Sequence, residues 1–152
     1  MRAAIGSDHA GFQLKQAVAS FLAELGYEFQ DMGCYDATPV DYPDIARLVA
    51  TAVARGEFDC GILVCSNGVG MSISANKVPG IRAALCHDTF SARRAREHTD
   101  ANILCMGGWV LGQGQARDII QAYLSAQFLG GRHARRIEKI RMLESEQLAT
   151  TP

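Results

Sequence analysis

The stretch Cys60-Gly61-Ile62-Leu63-Val64-Cys65-Ser66-Asn67-Gly68-Val69-Gly70-Met71-Ser72 decides the fold. Its first half is a continuous apolar run, the pattern of a central parallel strand covered on both faces. Its second half is small and glycine-rich and feeds a short helix. A strand that passes through such a loop into a helix is the repeating unit of a parallel α/β sheet, and in these sheets ligands bind beyond the carboxyl ends of the strands.

The same unit repeats on both sides. Upstream, Ala3 to Ser7 reads as a first strand. Leu14, Ala17, Val18, Phe21, Leu22 and Leu25 then share one helix face, and Gly26 stops that helix. Tyr27 to Met32 reads as a second strand. Asp41-Tyr42-Pro43-Asp44 opens a second helix, with Ile45, Leu48, Val49, Ala52 and Val53 on its inner face and Gly56 at its end. Downstream, Gly80 to Cys86 and Asn102 to Met106 are strands four and five, with a helix from about Thr89 to Glu97 between them. Ala116, Ile119, Ile120, Tyr123, Leu124 and Phe128 mark another helix. After the Gly130-Gly131 break a last helix starts near Arg132, with Ile137, Ile140, Leu143 and Leu148 as its apolar face.

Strand and helix alternate throughout, which predicts a doubly wound α/β sandwich on a five-stranded parallel sheet with right-handed crossovers. One domain is expected over residues 1–152, with a frayed tail from about 145. The last helix has little sheet left to cover, so docking on another subunit is its expected use.

The composition narrows the functions. The chain has 152 residues, 48% hydrophobic and 20% charged, with a net charge of −1, so neither nucleic acid nor a membrane surface is expected as a partner. No run approaches the ~20 apolar residues of a membrane span. The N-terminal residues run straight into strand-like sequence without a signal-peptide pattern, and a cytoplasmic location is the expectation. The five cysteines, Cys34, Cys60, Cys65, Cys86 and Cys105, include no C-x-x-C pair. Reduced thiols are the natural reading, and no histidine or cysteine spacing suggests zinc.

Chemistry-bearing residues gather at the segment ends. Asp8 and His9 follow the first strand; Asp8 either caps the next helix or takes part in chemistry. Ser66 to Gly70 form a loop whose backbone N–H groups can face an anion. It lacks both the Walker pattern and the G-x-G-x-x-G fingerprint, and Gly112-Gln113-Gly114 fails the second as well; a developing enediolate is an alternative to a pyrophosphate as the anion. Cys65 stands at the loop entrance, either as the last core residue of its strand or as a base. An unperturbed thiol is only about 3% thiolate at pH 7, so a thiol base needs donors beside it. His98 ends a helix, where a capping role competes with a chemical one. Arg132 and Arg136 are spaced i, i+4 and share a face, as a phosphate clamp or as a solvated basic face.

Together these segments resemble the B-type ribose-5-phosphate isomerases, whose wider group includes the galactose-6-phosphate isomerase subunits and allose-6-phosphate isomerase. The resemblance spans about residues 2 to 144. It is carried by Gly6-Ser7-Asp8-His9-Ala10-Gly11, Asp41-Tyr42-Pro43, Ile62 to Cys65, Gly68-Val69-Gly70-Met71-Ser72-Ile73, Ala75-Asn76-Lys77, Gly80-Ile81-Arg82-Ala83, His98 with Asp100 and Asn102, and Gly130-Gly131-Arg132-His133 with Arg136. It implies a Rossmann-like α/β/α fold and a homodimer, possible as a tetramer, with active sites between subunits and the last helix reaching across. It implies an aldose–ketose isomerase that uses no metal and no cofactor.

By position, the resemblance makes Cys65 the base that moves a proton between C1 and C2. His98 opens the furanose ring, and Asp8 helps to move the hydroxyl proton. It puts His9, Tyr42 and Thr99 at the sugar, and Ser66, Asn67, Gly68, Val69 and Gly70 around the enediolate. Arg132, Arg136 and His133 lie at the phosphate end.

Three positions depart from that pattern. The loop usually reads Cys-Gly-Thr-Gly where this chain has Cys65-Ser66-Asn67-Gly68. The histidine is usually followed by Asn-Asp, here Thr99-Asp100. An arginine often stands where this chain has Trp109. Ribose 5-phosphate and ribulose 5-phosphate are the expected pair. A six-carbon or otherwise different sugar is the alternative, as is a catalytically silent sugar-phosphate-binding paralogue. A nucleotide- or flavin-binding domain of similar topology lacks its phosphate fingerprint.

Overall fold

The structure, a computed structural model, describes residues 1–149. Its elements follow the alternation: β1 (Arg2–Ser7), α1 (Phe12–Glu24), β2 (Glu28–Asp31), α2 (Tyr42–Ala54), β3 (Cys60–Cys65), α3 (Val69–Ala75), β4 (Ala83–Leu85), α4 (Thr89–Thr99), β5 (Ile103–Gly107), α5 (Gln113–Ser125) and α6 (Arg132–Ala149). The sheet is parallel in every pairing, in the order β2-β1-β3-β5-β4. The apolar run that opened the reading is therefore the central strand.

Side chains alternate across β3. Ile62 and Val64 enter the layer built with Leu14, Val18 and Leu22 of α1, Ala92 of α4 and Ile119, Ile120 and Tyr123 of α5. Leu63 and Cys65 enter the layer built with Val49 and Val53 of α2 and Met71 of α3. Complete burial of such a side chain contributes about 1.5–3 kcal/mol. Ser7 lies opposite Val64, and Cys65 lies opposite Gly107. The carboxyl ends of β1, β3 and β5 thus come level, and everything that follows them meets at one end of the sheet.

The structure departs from the sequence expectations in a few places. Leu48, expected on the inner face of α2, is 49% exposed, because Ala46, Val49, Ala50 and Val53 already fill that face. Phe128 lies beyond the end of α5. The fourth strand shrinks from seven expected residues to Ala83–Leu85. Its first amides are taken by side chains: Arg82 N–H donates to Asn102 Oδ1 (2.8 Å) and Ala83 N–H to Asn76 Oδ1 (2.8 Å).

Residues 145–149, expected to fray, continue α6. The Gly80 N–H donates to Glu144 Oε1 (2.9 Å) and holds the helix over Ile81 and Arg82. Of the apolar face expected on α6, Ile137 alone is buried; Ile140, Leu143 and Leu148 are exposed. Thr150 to Pro152 lie outside the described residues. No helix among the described residues is long and apolar enough to cross a membrane.

Candidate active site

The turn after β1 is pinned to the central strand. Asp8 N–H donates to Val64 O (3.2 Å). Gly11 passes so close beneath that a Cβ there would fall 2.4 Å from the same carbonyl oxygen. Asp8 is buried, and its Oδ1 accepts from Gly11 N–H (2.9 Å), so it does fasten the start of α1. His9 is exposed and its Nδ1 accepts from Val40 N–H (3.3 Å). A neutral imidazole with Nδ1 as acceptor carries its proton on Nε2, which leaves a donor facing outward.

Cys65 ends β3 with 3% exposure, packed in the layer that holds Met71, Ile103 and Cys105. Gly68 N–H donates to its sulfur (3.1 Å), giving a thiolate a partner at the loop entrance. Gly68 has φ +78°, and a Cβ on it would lie 2.5 Å from Leu85 Cδ1 and 2.9 Å from the Met106 backbone, so only glycine fits. Tyr42 lays its ring over Gly70, where a Cβ would come within 2.6 Å of the ring. The loop amides are not all free, contrary to expectation. Gly68 serves Cys65, and Val69 N–H donates to Asn67 Oδ1 (3.0 Å). Ser66 O accepts from Trp109 N–H (2.9 Å), which sets an indole that is 78% exposed beside the loop.

Asp8, His9, Tyr42 and Cys65 to Gly70 therefore come together. The other expected residues gather at the opposite end of the sheet. His98 and Thr99 form the last turn of α4. Thr99 O accepts from Arg82 Nε (2.8 Å), and Asn102, three residues on, accepts at its carbonyl from Gly61 N–H at the start of β3. Leu129 N–H donates to Glu97 O, which brings the start of α6 against His98. The His98 and His133 rings stack with centroids 4.1 Å apart. Arg94 Nη1 lies 3.3 Å from His98 Nε2; a guanidinium only donates, so the proton of a neutral His98 sits on Nδ1. Burial, then His98, Arg132, Arg136 and Arg94, push the His133 pKa below its ordinary value.

From the level of Gly61 to that of Cys65 is four residues of strand, about 13 Å at 3.3 Å each. One chain thus holds two separate clusters. A cavity of about 540 Å³ lies under α6, where Thr99, Arg82, Ile140 and Leu143 line it, away from Cys65. Among the described residues no three His, Cys, Asp or Glu side chains gather to hold a metal ion. Burial pushes the Cys60 and Cys86 thiols up to about 11 and the Cys105 thiol well above its ordinary value. These three behave as small hydrophobes.

Two residues escaped the sequence reading. His87 follows β4 at the Cys65 end, and its Nε2 accepts from Gly107 N–H (3.1 Å). Its place directly after a strand was the available signal. Lys15 is fully buried; its only signal in the sequence is a place beside Leu14 on the inner stripe of α1, where a lysine normally extends to water.

An acid, an imidazole and a thiol thus gather beyond the strand ends of this α/β sheet, and a stacked imidazole pair with arginines around it stands at the other end. Residues 3–140 match the family described as Ribose/Galactose Isomerase, and the chain belongs to that family. It is 46% identical over 144 residues to ribose-5-phosphate isomerase B of Escherichia coli (strain K12), covering 95% of this chain and 97% of that one. It is 44% identical over 147 residues to D-erythrulose-4-phosphate isomerase of Pectobacterium atrosepticum, covering 95% of each. The solved structure of Clostridium thermocellum ribose-5-phosphate isomerase B superposes with a TM-score of 0.95 at 51% identity, covering 97% of this chain and 99% of that one. The chain is an aldose–ketose isomerase with the five-stranded parallel architecture of those relatives.

Proposed function

We propose that the protein interconverts ribose 5-phosphate and ribulose 5-phosphate through a cis-enediolate, in a homodimer whose sites each combine the Cys65 end of one chain with the His98 end of the other. The observation that carries this reading is the separation of the two clusters. One sugar phosphate does not reach along the whole sheet, whereas a two-fold dimer makes two complete sites from two chains.

His98 begins the reaction by transferring a proton as the C1–ring-oxygen bond breaks and the C1 hydroxyl proton leaves, giving the open aldehyde. The Cys65 thiolate then takes the proton from C2, and the electrons move onto the C1 carbonyl oxygen. The Gly70 N–H, which has no protein partner among the described residues, donates to the developing anion. Asp8 moves the hydroxyl proton from O2 to O1. The Cys65 thiol returns its proton to C1, leaving a ketone at C2. Arg132, Arg136 and His133 hold the phosphate, and His9, Tyr42 and Thr99 contact the sugar. Ser66 to Gly70 frame the enediolate, with two of their amides already engaged. The five unpaired, buried cysteines support a reducing compartment, so the cytoplasm is the location proposed.

A second reading, a sugar phosphate of another length, is favoured by Trp109. An exposed indole beside Ser66 offers an apolar face to a sugar's carbon side. Turnover measured on four-, five- and six-carbon aldose phosphates decides between them. Highest kcat/KM on ribose 5-phosphate supports the first reading, and highest kcat/KM on another length replaces it. No turnover on any of them would overturn both readings of the substrate.

A further inference from the structure

We propose that Lys15 is a positioning residue for this site: its buried ammonium holds the β2–α2 loop against the turn that carries Asp8 and His9, and through that loop fixes His9 as an Nε2–H donor. The inference rests on the reading of His9 as a sugar contact.

Lys15 is 0% exposed. An ammonium persists at that depth only where its N–H groups find acceptors. Here Nζ donates to Asp31 Oδ1 (2.6 Å), to Asp31 Oδ2 (2.7 Å) and to the Cys34 carbonyl oxygen. The Phe12 and Tyr35 rings stand 5.5 Å from it. The inner stripe of α1 is otherwise apolar, with Leu14, Val18 and Leu22, so packing alone calls for no cation.

What the cation joins explains its use. Asp31 ends β2, and its Oδ1 also accepts from Gly33 N–H (2.9 Å). Gly33 and Cys34 exchange backbone hydrogen bonds with Ser7: Ser7 N–H to Gly33 O and Cys34 N–H to Ser7 O, both 2.7 Å. Ser7 immediately precedes Asp8. From Cys34 the loop runs on to Val40, whose N–H donates to His9 Nδ1, and to Tyr42, whose ring covers Gly70. Lys15 therefore ties α1, the end of β2 and the residue before Asp8 at one point. Without it the loop loses its anchor, Val40 leaves His9, and the imidazole is free to exchange tautomers.

Two variants test this. K15M/D31L removes both charges and so avoids the uncompensated charge that K15M alone would leave. V40P keeps the ion pair and deletes only the N–H that His9 accepts. The His9 tautomer is read from side-chain ¹⁵N shifts, assigned with H9Q, alongside KM and kcat for ribose 5-phosphate. In both variants His9 is expected to lose its single Nε2–H form, with KM rising about tenfold and kcat falling much less. If K15M/D31L keeps the wild-type tautomer while V40P loses it, the role of Lys15 is overturned and that of His9 stands. If both lose it and KM does not move, the sugar contact of His9 fails, and the proposal fails with it. Should K15M/D31L not fold, K15Q/D31N, which also removes both charges, takes its place under the same criteria.

Discussion

The imidazole of His98 lies face to face with that of His133, with centroids 4.1 Å apart and planes 10° from parallel. Arg94 touches the first ring, and the start of α6 brings Arg132 and Arg136 around the second. The helix end and the helix start thus form one surface, on which guanidinium groups surround a stacked imidazole pair.

This pair has a pH signature. The His133 pKa is lowered in the fold, chiefly by burial and by His98, so the unfolded chain takes up the proton first. The contribution of His133 to stability is complete above about pH 6.5 and is lost as pH falls through the lowered folded value. A phosphate bound between the arginines raises that folded value and reduces the loss. Melting temperatures from pH 7.5 to 5 are expected to fall less steeply with inorganic phosphate than without it. H133Q should show a smaller difference between the two series.

The Cys65→Ala variant should lose turnover by about 10²–10⁴-fold, the range of general base catalysis, with KM close to wild type. Excess chelator should leave the wild-type rate unchanged. Near-normal kcat in the alanine variant would remove Cys65 from the reaction.

Mixing two inactive variants tests the shared site. Cys65→Ala and His98→Asn chains, unfolded together and refolded at equal amounts, should regain about a quarter of wild-type activity. Half the dimers are mixed, and each mixed dimer has one intact site of two. Sites contained within single chains would give no recovery.

Trp109 offers a substrate test. Replacing it with arginine adds a charge-assisted donor worth about 1.5–3 kcal/mol if it reaches the phosphate, so KM for ribose 5-phosphate should fall about tenfold or more. A KM unchanged on five- and six-carbon phosphates alike would show that position 109 does not face the substrate.

Much of this was legible in the sequence because parallel strands put their carboxyl ends on one side. Once the strand ending at Cys65 was identified, Asp8 after the first strand had to lie near it. The separation of His98 from Cys65 was harder to see. It depends on α4 running back along the sheet, which turns a residue close in sequence to β5 into one a whole strand away from the thiol. Arg82 and Ala83 read as strand, yet their amides bond to Asn102 and Asn76 side chains, and no local pattern announces that. Ile140, Leu143 and Leu148 read as an apolar face because they recur at helical spacing, and all three are exposed in the single chain; spacing does not say what covers such a face. Lys15 was passed over because a lysine next to a helix stripe normally extends to water, and only Asp31 and Cys34, brought in by the second strand, keep it inside.

Burial of the Cys65 sulfur behind Gly68 also makes it a clock. With 3% exposure, the thiol should react slowly with an alkylating reagent, at a rate set by how often the packing around it opens. A ligand that closes over the loop slows the clock in proportion to its occupancy, and so reports its own affinity without any catalytic turnover.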